Sequence, residues 1–518
     1  MNKYIFSGLC LLTLSSCVSL NTNIKDEDFE NNIINQNINT NELNNLSTQT
    51  NDKYIELSLK DAILLALERN KDLEIKKITP LIKQTFEEQY SVMFSPSLGA
   101  SLSLQEGNNT NVLLAGSAPS LTDNISGKIT WQKSFPLGTN LSLEASLYAP
   151  NIFSYTNNRY NSSRIGLSLT QPLMQNWGED FNLVLIRGAN YDTLISEYEL
   201  KGFVQTLVSD VEETYWDYVL TRKKLEIYEN SLKIAGKQLK ETEQRVKIGK
   251  LAESEIIASQ AEVAQREQDL LNAQKNLEIT RLKFLRLINH QDKNTDDKIV
   301  ILSDEPQIPA IELTDIQEHI QKALKLRPDI NQAQLSIKRG DIEIVKTKNG
   351  LLPKLDWFVT LGKSGYADSF GQSLLNIGGP NYDLSTGLSF GMPVNNTDVK
   401  AIYKRALLNQ KSTLKALENL SSLIETDMRS AYVTVNTTKK QINSAIITRK
   451  LQEKKLETEN AKFRVGKSTS LLVAQTQRDL LSSQIAEIEY TINYLKALVA
   501  FYLMEGTLLD YHEIIISF

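Results

Sequence analysis

The sequence contains one outline twice, and this internal repeat constrains the fold more than any other feature. Five positions early in the outline recur 257 residues later: Leu59, Ala66, Leu67, Asp72 and Pro96 return as Ile316, Ala323, Leu324, Asp329 and Pro353. Four later positions recur after 217 residues: Gly249, Lys250, Gln260 and Phe284 return as Gly466, Lys467, Gln477 and Phe501. Repeats of this length are not the short units of solenoids. We therefore predict one duplicated supersecondary unit with pseudo-symmetry inside the chain.

The change of offset locates the difference between the two copies. The offsets 257 and 217 differ by 40, so the first copy holds about 40 extra residues. Most of them fall in 96–172, because the equivalent stretch 353–393 is much shorter.

The N-terminus reads as a bacterial lipoprotein signal. Residues 1–16 combine a charged start, a short apolar run and small residues before Cys17. We predict that cleavage after Ser16 makes Cys17 an acylated N-terminus held in a membrane leaflet. The alternative is an ordinary secretory signal, which also gives export. Residues 17–54 are rich in Asn and poor in aromatics, which predicts a flexible tether.

Composition argues against several classes of site. Cys10 lies in the signal, so the mature chain has no cysteine pair for a disulfide or a thiolate metal site. The three histidines, His290, His319 and His512, lack metal-ligand spacing. A formal charge of −5 over 518 residues argues against a nucleic-acid surface. We predict no metal, no cofactor and no nucleic-acid partner.

Each copy carries the pattern of a long helical hairpin. Apolar or small residues alternate at spacings of three and four over 225–246, 256–287 and 473–504, which predicts coiled-coil seams. A glycine, Gly249 or Gly466, marks the tip of each hairpin.

The first helix of each hairpin is predicted to be unusually long. The hairpins span 181–289 and 398–505, and their first 65 or so residues lack proline, which gives helices of about 100 Å. Arg266 and Glu487 interrupt the seams, which we interpret as a sign that one side of the helical wall faces water.

Strands are predicted only in two short regions, about 97–171 and 355–391. There, apolar residues alternate with small or polar ones, for example Leu98, Ala100, Leu102 and Leu104 in the first region, and Leu355, Trp357, Val359 and Leu361 in the second. One apolar and one polar face fit a membrane barrel. A soluble sheet packed on one face has the same pattern.

The extra stretch of the first copy supplies two further strands, 129–135 and 141–147, joined by a tight turn at 136–140. Long loops, 107–124 and 150–163, lie at the other end, as in outer-membrane barrels. Four or six strands cannot close, since a membrane barrel needs about eight or more. The chain is therefore predicted to pair its edge strands with other copies of itself in a cyclic oligomer.

The chain resembles the TolC-like outer-membrane efflux proteins over most of its length. The matching motifs, in order, are Leu57-Ser58-Leu59-Lys60-Asp61-Ala62, Gln171-Pro172-Leu173, Arg245-Val246-Lys247-Ile248-Gly249-Lys250, Arg464-Val465-Gly466-Lys467 and Glu505-Gly506-Thr507-Leu508. The resemblance divides the chain into a first repeat (55–290), a linker (291–312), a second repeat (313–510) and a tail (511–518). It implies a mostly α homotrimer with a membrane β-barrel and an α-helical periplasmic tunnel.

The resemblance also implies a function: an outer-membrane exit duct that works with a periplasmic adaptor and an inner-membrane pump, in efflux or type I secretion. Members commonly give four strands per chain, whereas the extra hairpin suggests six and eighteen per trimer, or an accessory hairpin. The tips are predicted to dock the adaptor through Arg245, Lys247, Gly249, Lys250, Arg464, Gly466 and Lys467.

The candidate periplasmic gate departs from the family. Members carry acidic residues six and nine positions beyond the second tip glycine, where this chain has Leu472 and Gln475. Glu255 occupies the matching place in the first hairpin, so three copies would form a partial acidic ring beside an apolar one. Alternatively, Glu255 is a solvated carboxylate and Leu472 belongs to the helical seam.

Two other functions compete with a passive conduit. A coiled-coil lipoprotein that spaces the outer membrane from the cell wall would share the helices, but it would not need the strands with a polar face. An enzyme would need a catalytic constellation, whereas we interpret Asp61, Glu212 and Glu213 as isolated carboxylates on solvated helix faces. The sequence leaves the cargo open among drugs, metal ions and secreted proteins.

Overall fold

The computed structural model describes six stretches of the chain: 54–109, 120–150, 160–288, 299–310, 313 and 315–514. The predicted signal, Cys17 and nearly all of the tether lie outside these residues. Within them, every helix is too short or too polar to span a bilayer.

Eleven helices and eight strands follow each other along the described chain. The helices are α1 (Leu59–Arg69), α2 (Lys71–Ser91), α3 (Glu179–Asn182), α4 (Val184–Lys247), α5 (Ser254–Leu287), α6 (Ile316–Leu326), α7 (Pro328–Asn349), α8 (Phe370–Leu375), α9 (Thr397–Arg464), α10 (Ser470–Glu505) and α11 (Leu508–Tyr511). The strands are β1 (Tyr54–Leu57), β2 (Ser97–Asn109), β3 (Ser120–Ser134), β4 (Asn140–Pro150), β5 (Asn161–Pro172), β6 (Ile299–Leu302), β7 (Lys354–Ala367) and β8 (Tyr382–Gly391).

The duplication is visible in the order of elements. Each copy begins with a short helix and a medium helix, crosses the sheet, and ends with a long helical hairpin. Local sequence sets the starts of the short helices: Ser58 and Asp61 form a capping box at α1, and Asp315 caps α6. Pro328 occupies the first turn of α7, where a missing N–H costs nothing.

The predicted long hairpins are confirmed. Helix α4 has 64 residues and α9 has 68, so each is about 100 Å long. Every predicted seam position is buried or half-buried, and the buried ones include Ala235, Thr242, Ser259, Ala273, Phe284, Val473, Thr476, Ser483, Tyr494 and Phe501.

The interpretation of Arg266 as a sign of a water-facing seam was wrong. Arg266 is buried, and its guanidinium lies 2.5 Å from Glu262 and 3.6 Å from Asp269. Glu262 also contacts Arg478 of the other hairpin at 2.6 Å. A buried charge is tolerated when it is paired in this way, and the pairing joins the two hairpins. Glu487 is partly buried and pairs with Arg449.

Six strands form one antiparallel sheet in the order β2-β3-β4-β5-β7-β8. The predicted extra hairpin is present as β3 and β4, with its tight turn at 135–139. Strand β2 continues to Asn109 and β3 begins at Ser120, so strands take up part of the loop expected over 107–124, and its centre lies outside the described residues. The two copies meet where β5 pairs with β7.

The expectation that strands occur in only two regions was wrong. Strands β1 and β6 form a separate parallel pair, with Leu57 opposite Leu302. Each has four residues, and β6 is a continuous apolar run, so alternation could not reveal it. Strand β6 also lies inside the predicted linker. Its neighbour Asp304 accepts a hydrogen bond from the Leu59 N–H at 2.6 Å, which fixes the start of α1.

Candidate functional site

The hairpin tips are built on two glycines in the left-handed region. Gly249 has φ +74° and Gly466 has φ +76°, and a Cβ at either position would meet open space. The N–H of the residue after each glycine donates back into the preceding helix, from Lys250 to Arg245 and from Lys467 to Lys462, both at 2.8 Å. These bonds satisfy terminal carbonyls and end the helix sharply.

The tips expose cations around apolar side chains. Lys247, Lys250, Arg464 and Lys467 are exposed, as the prediction of a docking surface requires. Between them, Ile248 is 65% exposed and Val465 is 70% exposed. Each tip therefore combines positive charge, exposed glycine backbone and apolar contact area.

Arg245 has a different place from the other predicted docking residues. Its guanidinium donates to the Phe463 carbonyl at 3.3 Å and lies 4.7 Å from the centroid of the Phe463 ring. Because Arg245 lies on α4 and Phe463 on α9, the side chain joins one tip to the other. A cation over an aromatic face is attracted by the ring quadrupole.

The candidate gate residues do not all share one environment. Glu255 is half-buried in the first turn of α5, and its carboxylate accepts a hydrogen bond from the Ser470 hydroxyl at the start of α10. Leu472 is 43% exposed, and Gln475 is also exposed. The structure thus makes Glu255 a tie between the tips, and leaves Leu472 and Gln475 on the chain surface.

A carboxylate at the second tip lies among hydrogen-bond donors. The Ser468 hydroxyl donates to Glu459, and the Lys462 ammonium lies 3.1 Å from the same carboxylate. The Ser468 hydrogen bond, followed by Lys462, lowers the pKa of Glu459 below its usual value.

The sheet has one apolar and one polar face, and its apolar face is exposed. Leu98 and Leu102 on β2, and Leu384 and Leu388 on β8, each expose more than 60% of their surface. A soluble sheet packed on one face would bury such residues, so the exposure favours contact with hydrocarbon. Aromatic side chains border this face, with Trp357 and Phe390 near the helices and Tyr382 at the opposite end.

The polar face carries an ion pair that the sequence analysis missed. Arg164 on β5 reaches over β7 to Asp383 on β8, with Nη2 2.6 Å from Oδ2. A Cβ on Gly362 would overlap this guanidinium where it now lies, so a larger residue there would displace the ion pair. Gly166 lies directly opposite Gly362 on β5. This pair of glycines at polar-face positions was the available signal, but its meaning depends on the strand order.

The interpretation of Glu212 as a solvated carboxylate was wrong. Glu212 is buried, accepting from Trp216 Nε1 at 3.3 Å and lying 2.7 Å from His512 Nε2. His319 Nδ1 likewise lies 2.7 Å from buried Glu505. Asp61 is part of the capping box at the start of α1, which gives this carboxylate a structural role. Across the described stretches, no cluster of His, Cys, Asp and Glu side chains is suited to a metal ion.

Comparisons with known proteins agree with this architecture. The family model described as "Outer membrane efflux protein" matches residues 89–290 and 319–507. The pyoverdine export outer membrane protein OpmQ of Pseudomonas putida is 24% identical over 307 residues, which are 57% of this chain and 61% of that relative. The chain therefore spans less than two thirds of that protein.

Solved structures share the fold at low identity. The CmeC outer membrane channel of Campylobacter jejuni matches with a TM-score of 0.63 at 14% identity, over 92% of this chain and 89% of that one. A structure of CusC gives 0.64 at 15% identity, over 89% and 96%. The open state of the MtrE channel of Neisseria gonorrhoeae gives 0.61 at 15% identity, over 87% and 89%.

Proposed function

The chain belongs to the outer membrane efflux protein family, and we propose that three copies of it form a passive duct through the outer membrane and the periplasm. The duct is the exit of a tripartite export system, in which a periplasmic adaptor joins it to an inner-membrane pump. The observation that carries this proposal is that each side of the chain exposes both a sheet edge and an apolar helical flank, so that one side can pair with the other side of the next copy.

The first pair of edges belongs to the sheet. Strands β2 and β8 are the outer members of the described sheet and leave backbone groups for further pairing. In hydrocarbon each unsatisfied group costs several kcal/mol, which excludes an open sheet there. Six antiparallel strands place β2 and β8 in opposite directions, so β8 of one copy continues the antiparallel pattern with β2 of the next.

The second pair of edges belongs to the helices. Near the sheet, α2 packs on α4, α4 on α7 and α7 on α9; near the tips, α5 packs on α4, α4 on α10 and α10 on α9. One flank thus shows α2 and α5, and the other shows α9. Both flanks expose apolar side chains: Ile75, Ile82, Leu271 and Leu282 on the first, and Leu408, Val433, Ile447 and Leu451 on the second.

A head-to-tail contact between these flanks closes into a ring. In that ring the sheet edge and the helical flank of each copy meet the same neighbour, so the barrel and the tunnel form together. The tips then lie at the periplasmic end, where Lys247, Lys250, Arg464 and Lys467 surround the glycines and meet the adaptor. Acylated Cys17, outside the described residues, adds a lipid anchor beside the barrel.

Reconstitution tests this function directly. The purified full chain is expected to have the mass of three copies and to give stepwise conductance in planar bilayers. A coiled-coil spacer would leave the bilayer insulating, so trimers that never conduct would contradict the proposal. Cells fed labelled fatty acid test the anchor separately: the parent is expected to incorporate label, and Cys17→Ser to lose it while still entering the membrane.

A further inference from the structure

The extra hairpin of the first copy is part of the sheet. Strand β3 pairs with β2 from Ser97 opposite Gln132 to Asn109 opposite Ser120. On its other side it pairs with β4, which in turn pairs with β5. The hairpin thus lies inside the sheet, between β2 and the strands that join the two copies.

The turn of this hairpin is seated on the connection between β5 and α4. Gly138, with φ +93°, packs against the Asn176 carbonyl so closely that a Cβ would collide. The Gly178 N–H donates to the Leu137 carbonyl at 3.2 Å, and Thr139 donates to Gln171. These contacts fix the hairpin at the level where strands give way to helices.

Widths of the helical and strand layers show what the hairpin changes. Near the sheet the chain is four helices wide, so three copies give twelve helices, which at 8–10 Å spacing make a circumference of about 100–120 Å. Eighteen strands, 4.8 Å apart and tilted by about 40°, make about 110 Å. Twelve strands would make about 75 Å. The hairpin therefore brings the barrel to the width of the tunnel.

The polar face of the sheet is also balanced in charge. Its ionic side chains form three opposite pairs: Lys128 with Glu144 at 2.7 Å, Lys354 with Asp356 at 3.4 Å, and Arg164 with Asp383. The remaining positions are mostly hydroxyl or glycine, such as Ser142, Ser168 and Thr360. A neutral, hydroxyl-rich surface neither attracts nor repels a charged solute strongly.

We propose, building on the duct function above, that the β3–β4 hairpin widens the membrane end of the duct to eighteen strands and adapts it to bulky hydrophilic cargo of either charge. Along the described strands, the membrane end is then as wide as the tunnel.

The width can be measured from outside the cell with maleimides on polyethylene glycols of increasing size. The target is Ser168→Cys on the polar face of β5, in the full chain and in a variant without residues 120–150. This deletion removes β3 and β4 and leaves β2 antiparallel to β5, so a four-strand sheet can form. Because barrel diameter grows about linearly with strand number, the largest polymer radius that labels is expected to fall by about one third.

The outcomes separate this inference from the duct itself. Equal size limits with and without the hairpin would overturn the wide barrel and leave the duct intact. If even a small maleimide fails to label Ser168→Cys in assembled parent protein, the polar face does not line an open passage, and both proposals fail.

A second measurement does not depend on the deletion. In the full hairpin, Thr130→Cys on the polar face is expected to react with a water-soluble thiol reagent, whereas neighbouring Ile129→Cys reacts only with a lipid-soluble one. An accessory hairpin outside the membrane would let both residues react with the water-soluble reagent, which would overturn the inference.

Discussion

In the first copy of the repeat the chain crosses the sheet four times between its helices, whereas in the second copy it crosses only twice. The helices change far less: α1 and α6 have 11 residues each, and α5 and α10 have 34 and 36. Because two strands are added, the chain leaves the sheet at the same end, next to the helices, as it would without them. The membrane layer can therefore gain a hairpin while the helical wall keeps its register.

The tips share the conformation of their glycines but differ in side-chain chemistry. Glycines with nearly the same φ stand at both, yet Glu255 in the first copy corresponds to Leu472 in the second, 217 positions later. Likewise Thr242 corresponds to Glu459. Tip geometry is shared because both hairpins must turn at one level, whereas the side chains are free to give each tip its own charge.

The largest expected effect comes from charge on the apolar face of either copy. Leu167 and Leu361 face each other on β5 and β7, and their neighbours Ser168 and Thr360 face each other on the polar side. Arginine at a lipid-facing midplane position costs about 2–4 kcal/mol, and a trimer carries it three times. Leu167→Arg and Leu361→Arg are expected to abolish folding into lipid vesicles, measured by protease protection.

The matched controls are Ser168→Arg and Thr360→Arg, which put the same charge on the polar face and are expected to fold. Equal loss of folding in all four variants would show that both faces of the sheet meet the same environment. Loss in only one copy would show that the copies do not share one membrane layer.

How much of this was readable from the sequence differs between elements. The tip glycines and the seams were predictable because they depend on local spacing. The Arg164–Asp383 pair was not, since it needs β8 to lie two strands from β5, a matter of sheet order. The burial of Arg266 could not be predicted either. Its partner Glu262 is four residues away on the same helix, but Glu262 also pairs with Arg478, which belongs to the other hairpin.

The tips give the next effect in size. Gly249→Val and Gly466→Val force a β-branched residue into the left-handed region, at a cost of about 1–3 kcal/mol, with no steric clash. Both should reduce export of the pump's own substrate in cells that carry the adaptor and the pump, while trimers still assemble. Gly236→Val, also in open space but inside α4, is the control and should export normally. Intact efflux, or loss of the trimer, would argue against docking by the tips.

The candidate gate positions, which differ between the copies, give a smaller effect on conductance. Glu255→Gln removes charge but keeps an acceptor for Ser470, whereas Ser470→Ala removes the hydrogen bond and keeps the charge. In planar bilayers the first should weaken cation preference, and the second should raise the open fraction without changing selectivity. Leu472→Ala should raise conductance by removing an apolar ring. If all three variants conduct like the parent, the narrowest passage lies elsewhere.

The smallest effect is a pH response that is stronger at the second tip. The lowered pKa of Glu459 means that its contribution to tip stability is full above about pH 4.3 and is lost as the pH falls through its folded value. The first tip has Thr242 there and lacks this contribution. Spin labels at Leu471→Cys and at its counterpart Ser254→Cys compare the two tips, and the first should gain more mobility than the second as the pH falls through the folded value of Glu459. Equal mobility changes at both labels would contradict the assignment.

The central claim, that the two flanks of one chain meet in a closed ring of three, is tested most directly by joining the edge strands covalently. Paired cysteines are placed on the apolar faces of β2 and β8, at Leu102 with Leu384 or Leu388, and at Leu98 with Leu388. Oxidation in the membrane is expected to give bands of one, two and three chain masses in at least one register, and none larger. A ladder beyond three, or no crosslink between copies in any register, would contradict the ring.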